Sequence, residues 1–351
     1  MSIRLSPLRA TSTVLVASLV VAAPVRAQDS RRSLDLAVDH VGLSIGDSRE
    51  LTGVRLNFRD TRLERVDGLN LTVWKPAKSS HGIVRGLAIG VPYAGAERIH
   101  GLAVAAVGIE TQKSLRGISV SGIGAGAGEE MSGIHLAGIG LGGGGNVRGL
   151  GVGGIGIGAG GSLRGIMVGG IGAGVGGDVR GLVIGGIGVG AGGRLEGIGI
   201  GGIGVGSGGG GRGLLIGGIG VGTGGDFDGI AIGGIGAGAG GTLRGLVIGG
   251  VGVGAPTLHG VGIGGIGVGG KEMRGAFLSA GTIKVNDGGY LRGLAITTYN
   301  DARNASQHGL MIAVVNIAQE LHGVQLGVLN IVRRNPSGRK VLPVINWNFS
   351  K

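Results

Sequence analysis

Cysteine is absent from the 351 residues and aromatic side chains supply only 3% of them. The first absence excludes a disulfide framework, a cysteine-based metal site and lipid attachment at an N-terminal cysteine. The second removes the stacking platforms that single-stranded nucleic acid ordinarily requires. Acidic residues are also scarce, with 20 Asp and Glu against 32 Lys and Arg, a formal charge of +12. Neither G-x-x-x-x-G-K-[ST] nor H-E-x-x-H occurs, so phosphate-loop and zinc-protease chemistry have no support.

Glycine is what the chain has in abundance, 89 residues of it. It does not recur at every third position, which excludes a collagen helix. Nor is the chain plain disorder, because 42% of residues are hydrophobic and they recur in register. The glycine in "(V/L)RG" marks sixteen units from Gly86 to Gly323, with a spacing of 16 residues throughout from Gly101 to Gly245 and of 14 to 18 beyond. Repeats of this length signal a stacked architecture.

Met1 to Ala27 reads as a secretory signal. Arg4 and Arg9 precede the apolar stretch Val14 to Ala23, and Val25, Arg26 and Ala27 resemble a cleavage site before Gln28. The apolar stretch falls short of the ~20 residues of a membrane-spanning helix. Removing three arginines leaves a mature charge of 12 − 3 = +9, which suits anionic surroundings. The predicted organisation is a signal peptide over 1–27, an N-terminal β cap over 28–80, Gly-rich 16-residue repeats over 81–277, and Asn-bearing repeats with a cap over 278–351.

Within a unit such as "RGLVIGGIGVGAGG", Leu182, Ile184, Ile187 and Val189 stay apolar with spacings of two, three and two. Alternation within each pair predicts two short strands, and the step of three across Gly185 and Gly186 predicts a corner. A helix is excluded, since each interior glycine would cost it about 1 kcal/mol. The expected fold is an all-β solenoid of about sixteen coils, with the ladders of Leu and Ile filling a narrow core. Glycines between apolar residues, as at Gly188, would leave the outer face of the second strand bare.

The alternative is a transmembrane β-barrel, in which each unit is one strand and a turn. Three features favour the solenoid. Phe227 is the one aromatic residue between Ala94 and Arg274, so aromatic girdles are missing. The spacing is uniform, whereas a barrel alternates short turns with long loops. The step of three would also flip the facing of a continuous strand. The barrel would better separate the arginines discussed next, dividing them between two rims.

Nine of the sixteen residues that precede a marker glycine are arginine: Arg85, Arg116, Arg148, Arg164, Arg180, Arg212, Arg244, Arg274 and Arg292. In a solenoid they form one column at about 4.8 Å spacing, interrupted by Glu196 and Asp228. Such a line of guanidinium groups is the candidate binding feature, suited to anionic envelope glycans or lipopolysaccharide phosphates through bidentate contacts. The simpler alternative is a solubilising edge on an apolar chain. His100, His259, His308 and His322 fall in the same column, with His308 and His322 expected as neighbours, and solvated imidazoles are the favoured reading over a shared metal. His135 falls at the variable position of the unit and is expected to face solvent. Gly172, Gly174 and Gly177 match G-x-G-x-x-G, but such matches recur throughout and lack a strand-to-helix context.

The last units carry Asn300, Asn316 and Asn330 in "GLAITTYN", "GLMIAVVN" and "GVQLGVLN". Gly323 to Asn330 resembles the tandem G-V-Q-x-G-L-x-N unit of the Leptospira-type bacterial surface-repeat family, with Gly309 to Asn316 a looser match. The likeness covers some 60 residues directly and the Gly-rich units only by register, where Gln and Asn give way to Val, Ala or Gly. It implies an envelope or surface location with no defined biochemistry. The expected function is therefore that of an exported, non-enzymatic envelope or surface protein, a scaffold or adhesive surface that needs no cofactor. Nucleic acid is disfavoured as a partner, while outer-membrane association and self-association through bare β faces fit the composition. The alternative is an outer-membrane barrel, with pore formation as its role. An exported polysaccharide-cleaving enzyme ranks last, since Glu196 and Asp228 stand two coils apart among arginines.

Overall fold

A computed structural model describes residues 33–77 and 81–349. The signal reading of residues 1–27 lies outside them. The described chain is a β-solenoid of about fifteen turns, without a helix. Each central turn contains a longer strand and a shorter one, such as Val179–Gly185 and Gly188–Ala191. Each pairs in parallel with its equivalent sixteen residues on, as Val179 with Leu195 and Val189 with Val205. Parallel stacking of consecutive units is the solenoid pattern, whereas neighbouring barrel strands run antiparallel.

The marker glycines make one continuous column with φ between 110° and 147°. Side-chain-bearing residues rarely adopt this conformation. At Gly181 a Cβ would also strike the carbonyl oxygen of Gly165 below it. Three further glycines, Gly42, Gly53 and Gly68, continue the column toward the N-terminus, so the stack extends into the segment read as a cap. The chain reverses direction at both ends. Ser33–Val38 lies antiparallel to Val41–Gly46, and Val341–Asn348 lies antiparallel to the stretch from Gly323 to Ile331. Such reversals cover the terminal parallel strand at each end of the stack with an antiparallel one.

The structure inverts the expected facing of the apolar positions. Val179, Val183, Val189 and Ala191 are buried, whereas Leu182 and Ile184 are only partly covered and Ile187 is half exposed. The strand alternates without interruption through Gly181, so that Val179 and Val183, four residues apart, both point inward while Arg180, Leu182 and Ile184 point out. Only Val189 of the four expected core positions lies inside. Burying one such aliphatic side chain contributes roughly 1.5–3 kcal/mol, repeated in every turn.

The position two residues after each marker glycine is consequently the central core column, and it is the variable one. It passes through Ser119, His135, Gly151, Met167, Val183 and Gly199 on successive turns. Sizes compensate from turn to turn: a Cβ on Gly151 would come within 2.6 Å of the Met167 sulfur, and one on Gly262 within 3.0 Å of the Phe277 ring. Close packing of this kind leaves no room for a large residue beside another. His135 is therefore fully buried, contrary to its expected solvation, and its Nδ1 lies 2.8 Å from the Ser119 hydroxyl.

Both ends of the core are polar. Near the N-terminus the same inward column carries Arg55 and Asn70. The Arg55 guanidinium is fully buried and contacts Asp60, the Asp47 carboxylate at 2.9 Å and the Asn70 carbonyl at 2.8 Å. At the other end Asn300 donates to Asn316 at 3.0 Å and Asn316 donates to Asn330 at 2.9 Å. The three asparagines are fully buried, so they line the core as an amide ladder and do not sit at turns.

Candidate functional site

The arginine column follows directly from the register. Arg85 pairs with His100, His100 with Arg116, Arg148 with Arg164, Arg164 with Arg180, and Arg274 with Arg292, each one turn from the next. Arg212 and Arg244 flank Asp228 in the same column. All nine candidate arginines thus lie along one edge, immediately before the marker glycines. From Arg85 to Arg292 there are thirteen steps between turns. At about 4.8 Å each, they span roughly 60 Å. With Glu196 and Asp228 included, the column carries 9 − 2 = +7.

Carboxylates temper this charge locally. Glu130 bridges Arg116 at 2.7 Å and Arg148 at 3.6 Å, Glu196 meets Arg180 at 3.0 Å, and Asp228 lies between Arg212 at 3.9 Å and Arg244 at 3.5 Å. The arginine side chains in these pairs remain 46% to 78% exposed. Exposed pairs of this kind are worth at most about 1 kcal/mol each and are screened by salt. They relieve the repulsion of stacked like charges without removing the guanidinium groups from solvent. Arg274 donates to the Tyr290 hydroxyl at 2.7 Å and lies over its ring. The contribution of Glu130 was not legible from the column itself, because it stands two residues before the column position.

His308 and His322 come together as expected, their rings stacked with centroids 4.6 Å apart. Burial, with the neighbouring His322 and Arg292, holds the His308 pKa below its ordinary value. His100 is likewise held low by burial and by Arg116 and Arg85 on either side. Among the described residues no group of three His, Cys, Asp or Glu side chains is placed to hold a metal ion. Gly172, Gly174 and Gly177 belong to a short strand and the corner after it, and not to a strand-to-helix turn.

One sequence feature acquires meaning only from the fold. Gly42 to Gly46 has the G-x-S-x-G spacing of a hydrolase nucleophile. Ser44 is nevertheless fully buried inside a strand, and its hydroxyl donates to Asp35 at 2.5 Å. It occupies the inward position after a marker glycine, which is a packing role. Across the corners, Asp178 and Asp226 accept the backbone N–H of Arg194 and Thr242 one turn on, at 2.9 and 2.7 Å. These carboxylates stitch turns together.

No protein-family model, curated protein or solved structure matches the chain.

Proposed function

We propose that this is an exported, non-enzymatic envelope or surface protein whose solenoid is a rigid scaffold presenting its arginine edge to anionic polymers. The observation that carries the reading is the placement of nine arginines at one register position, solvent-facing, along roughly 60 Å of consecutive parallel turns. A polyanion with regularly spaced sulfates, phosphates or carboxylates can engage several guanidinium groups at once, and each bidentate contact adds to the others through linkage. The repeat resemblance to bacterial surface proteins and the N-terminal signal reading agree with export to the envelope, at the outer membrane or cell surface. Anionic glycans and lipopolysaccharide are the partner classes this edge suits.

The test uses the chain from Gln28 onward on a sulfated-polysaccharide column and against lipopolysaccharide. The triple variant Arg148→Gln, Arg164→Gln, Arg180→Gln should elute at clearly lower salt. Arg333→Gln, Arg334→Gln and Arg339→Gln, outside the column, should leave elution nearly unchanged. Equal loss in both triple variants would reduce the effect to net charge and overturn the reading. Fractionation of cells expressing the full chain tests export separately, and retention in the cytoplasm would sink that part.

A further inference from the structure

The outward face between the arginine edge and the next corner is apolar over the central turns. Two columns run along it, represented on one turn by Leu182 and Ile184, and a third, represented by Ile187, stands at the corner that borders it. Over the eleven turns from Leu102 to Ile266 all of these positions are Leu, Ile or Val. From Ile123 to Ile266 every member of the third column is exposed, from 43% at Val251 to 63% at Ile266.

The inner core column of the same turns is not uniform, passing through Ser119, His135, Gly151 and Met167. Duplication of one unit would leave both columns equally alike. The buried column has diversified while the exposed columns have stayed apolar, so something outside the coil constrains the exposed face. Ten steps of about 4.8 Å and a width near 14 Å give on the order of 700 Å². That exceeds the largest apolar patch usual on a monomer, about 300–600 Å², and approaches the ~800 Å² that each partner contributes to a standard stable interface.

We infer that this face seats a second copy of the chain, the two solenoids side by side with parallel axes about a two-fold axis along them. A second copy has ridges at the same turn-to-turn spacing, so the aliphatic columns stay in step along the whole length, which a partner of another period cannot do. The arginine edge selects the direction. With antiparallel axes the two arginine edges would face each other, each carrying +7; with parallel axes each faces the opposite, glycine-bearing border of its partner. A lipid surface is the weaker match, because these eleven turns carry no Trp, Tyr or Phe on the face to anchor at a headgroup layer, and the exposed Phe58 and Trp74 lie on turns before it.

The test uses the cysteine-free chain from Gln28 onward. Sedimentation should give twice the chain mass at micromolar concentration. Ile184→Glu with Ile216→Glu, both on the outer face, should shift it to a monomer with unchanged β-type circular dichroism. Val120→Cys alone, near one end of the face, should form a disulfide-linked dimer on mild oxidation, because parallel axes bring the same turn of each copy together. Val120→Cys that links only to Ile248→Cys in a mixture would overturn the parallel arrangement. A wild-type monomer at tens of micromolar, or a dimer that persists in the glutamate variant, would overturn the interface. A monomer that binds phosphatidylcholine vesicles and loses this in the glutamate variant would assign the face to lipid instead. None of these readouts involves the arginine edge, so failure here and failure of polyanion binding are distinguishable.

Discussion

The carbonyl oxygen of Gly170 occupies the space that a methyl group on Gly186 would need, one turn above it. The same clash recurs at the equivalent corner glycines, as between Gly186 and Gly202. Four residues beyond Gly186, a methyl on Gly190 would meet nothing within 4 Å. Gly190 has an ordinary strand conformation, so alanine there should reduce unfolded-state entropy and raise stability by about 0.5–1 kcal/mol. Gly186→Ala must push two backbones apart and should cost about 3 kcal/mol, the upper end for overpacking. Urea denaturation of the two variants should move the midpoint in opposite directions, and equal effects would refute the packing assignment.

Burial of His135 lowers its pKa below the usual histidine value, partly offset by a backbone hydrogen bond with Ser132. The unfolded chain therefore takes up a proton more readily than the folded one. Stability associated with His135 is complete above about pH 6.5, the unfolded value, and is lost as pH falls from there through the folded value. His135→Met, matching the Met167 found in the same column, should flatten the fall in denaturation midpoint between pH 7 and pH 5. His100 and His308 contribute in the same direction, so a residual slope should remain. An unchanged slope in the variant would show that His135 is accessible to protons in the folded state.

The repeat length, the marker glycines, the parallel stacking and the arginine column were legible because each depends only on what recurs every sixteen residues. Inside and outside were not. Leu182 and Ile184 belong to the most uniformly apolar columns, yet the inward register of the strand is the other one, through Val179 and Val183. A period of two cannot reveal which face is inward when both carry aliphatic residues. Arg55 and Asn70 were missed for a related reason. Each stands two residues after a glycine of the marker column, but Gly53 and Gly68 lie outside the regular spacing that defined the repeat.

Among the described residues Arg55 is the one fully buried cation of the N-terminal core, held by Asp47, Asp60 and Asn70. Asp60 is fully buried, and Thr72 and Asn70 also donate to it, at 2.7 and 3.2 Å. Burial opposes ionisation of Asp47, but hydrogen bonds from Thr61 and the charge of Arg55 outweigh it and leave the pKa lowered. Arg55→Met should strand two carboxylates and cost about 3–5 kcal/mol, as for other broken buried pairs. Because turns interact mainly with their neighbours, the loss should be local. Amide exchange should accelerate over residues 50–72 while residues 163–233 keep their protection. Uniform acceleration along the chain would instead mean that the solenoid unfolds as one cooperative unit.

The amide ladder at the other end gives the sharpest charge test. Asn316 accepts from Asn300 and donates both to Asn330 and to the Leu326 carbonyl, at 2.9 and 3.0 Å. Asn316→Asp keeps the shape and the acceptor but replaces a donor with a carboxylate facing two acceptors. Burial and these acceptors should raise the pKa of the new acid well above its unfolded value of about 3.9. Its folded form is then tolerated while protonated, and stability falls as pH rises through the unfolded and then the folded value. At pH 7 the variant should be weaker than wild type by about 3–5 kcal/mol, the range for an uncompensated buried charge. Near pH 4 it should recover most of that difference. Asn316→Leu also breaks the ladder but introduces no titratable group, so its deficit should be the same at both pH values. A deficit in Asn316→Asp that does not depend on pH would place residue 316 in contact with water and remove the ladder from the core.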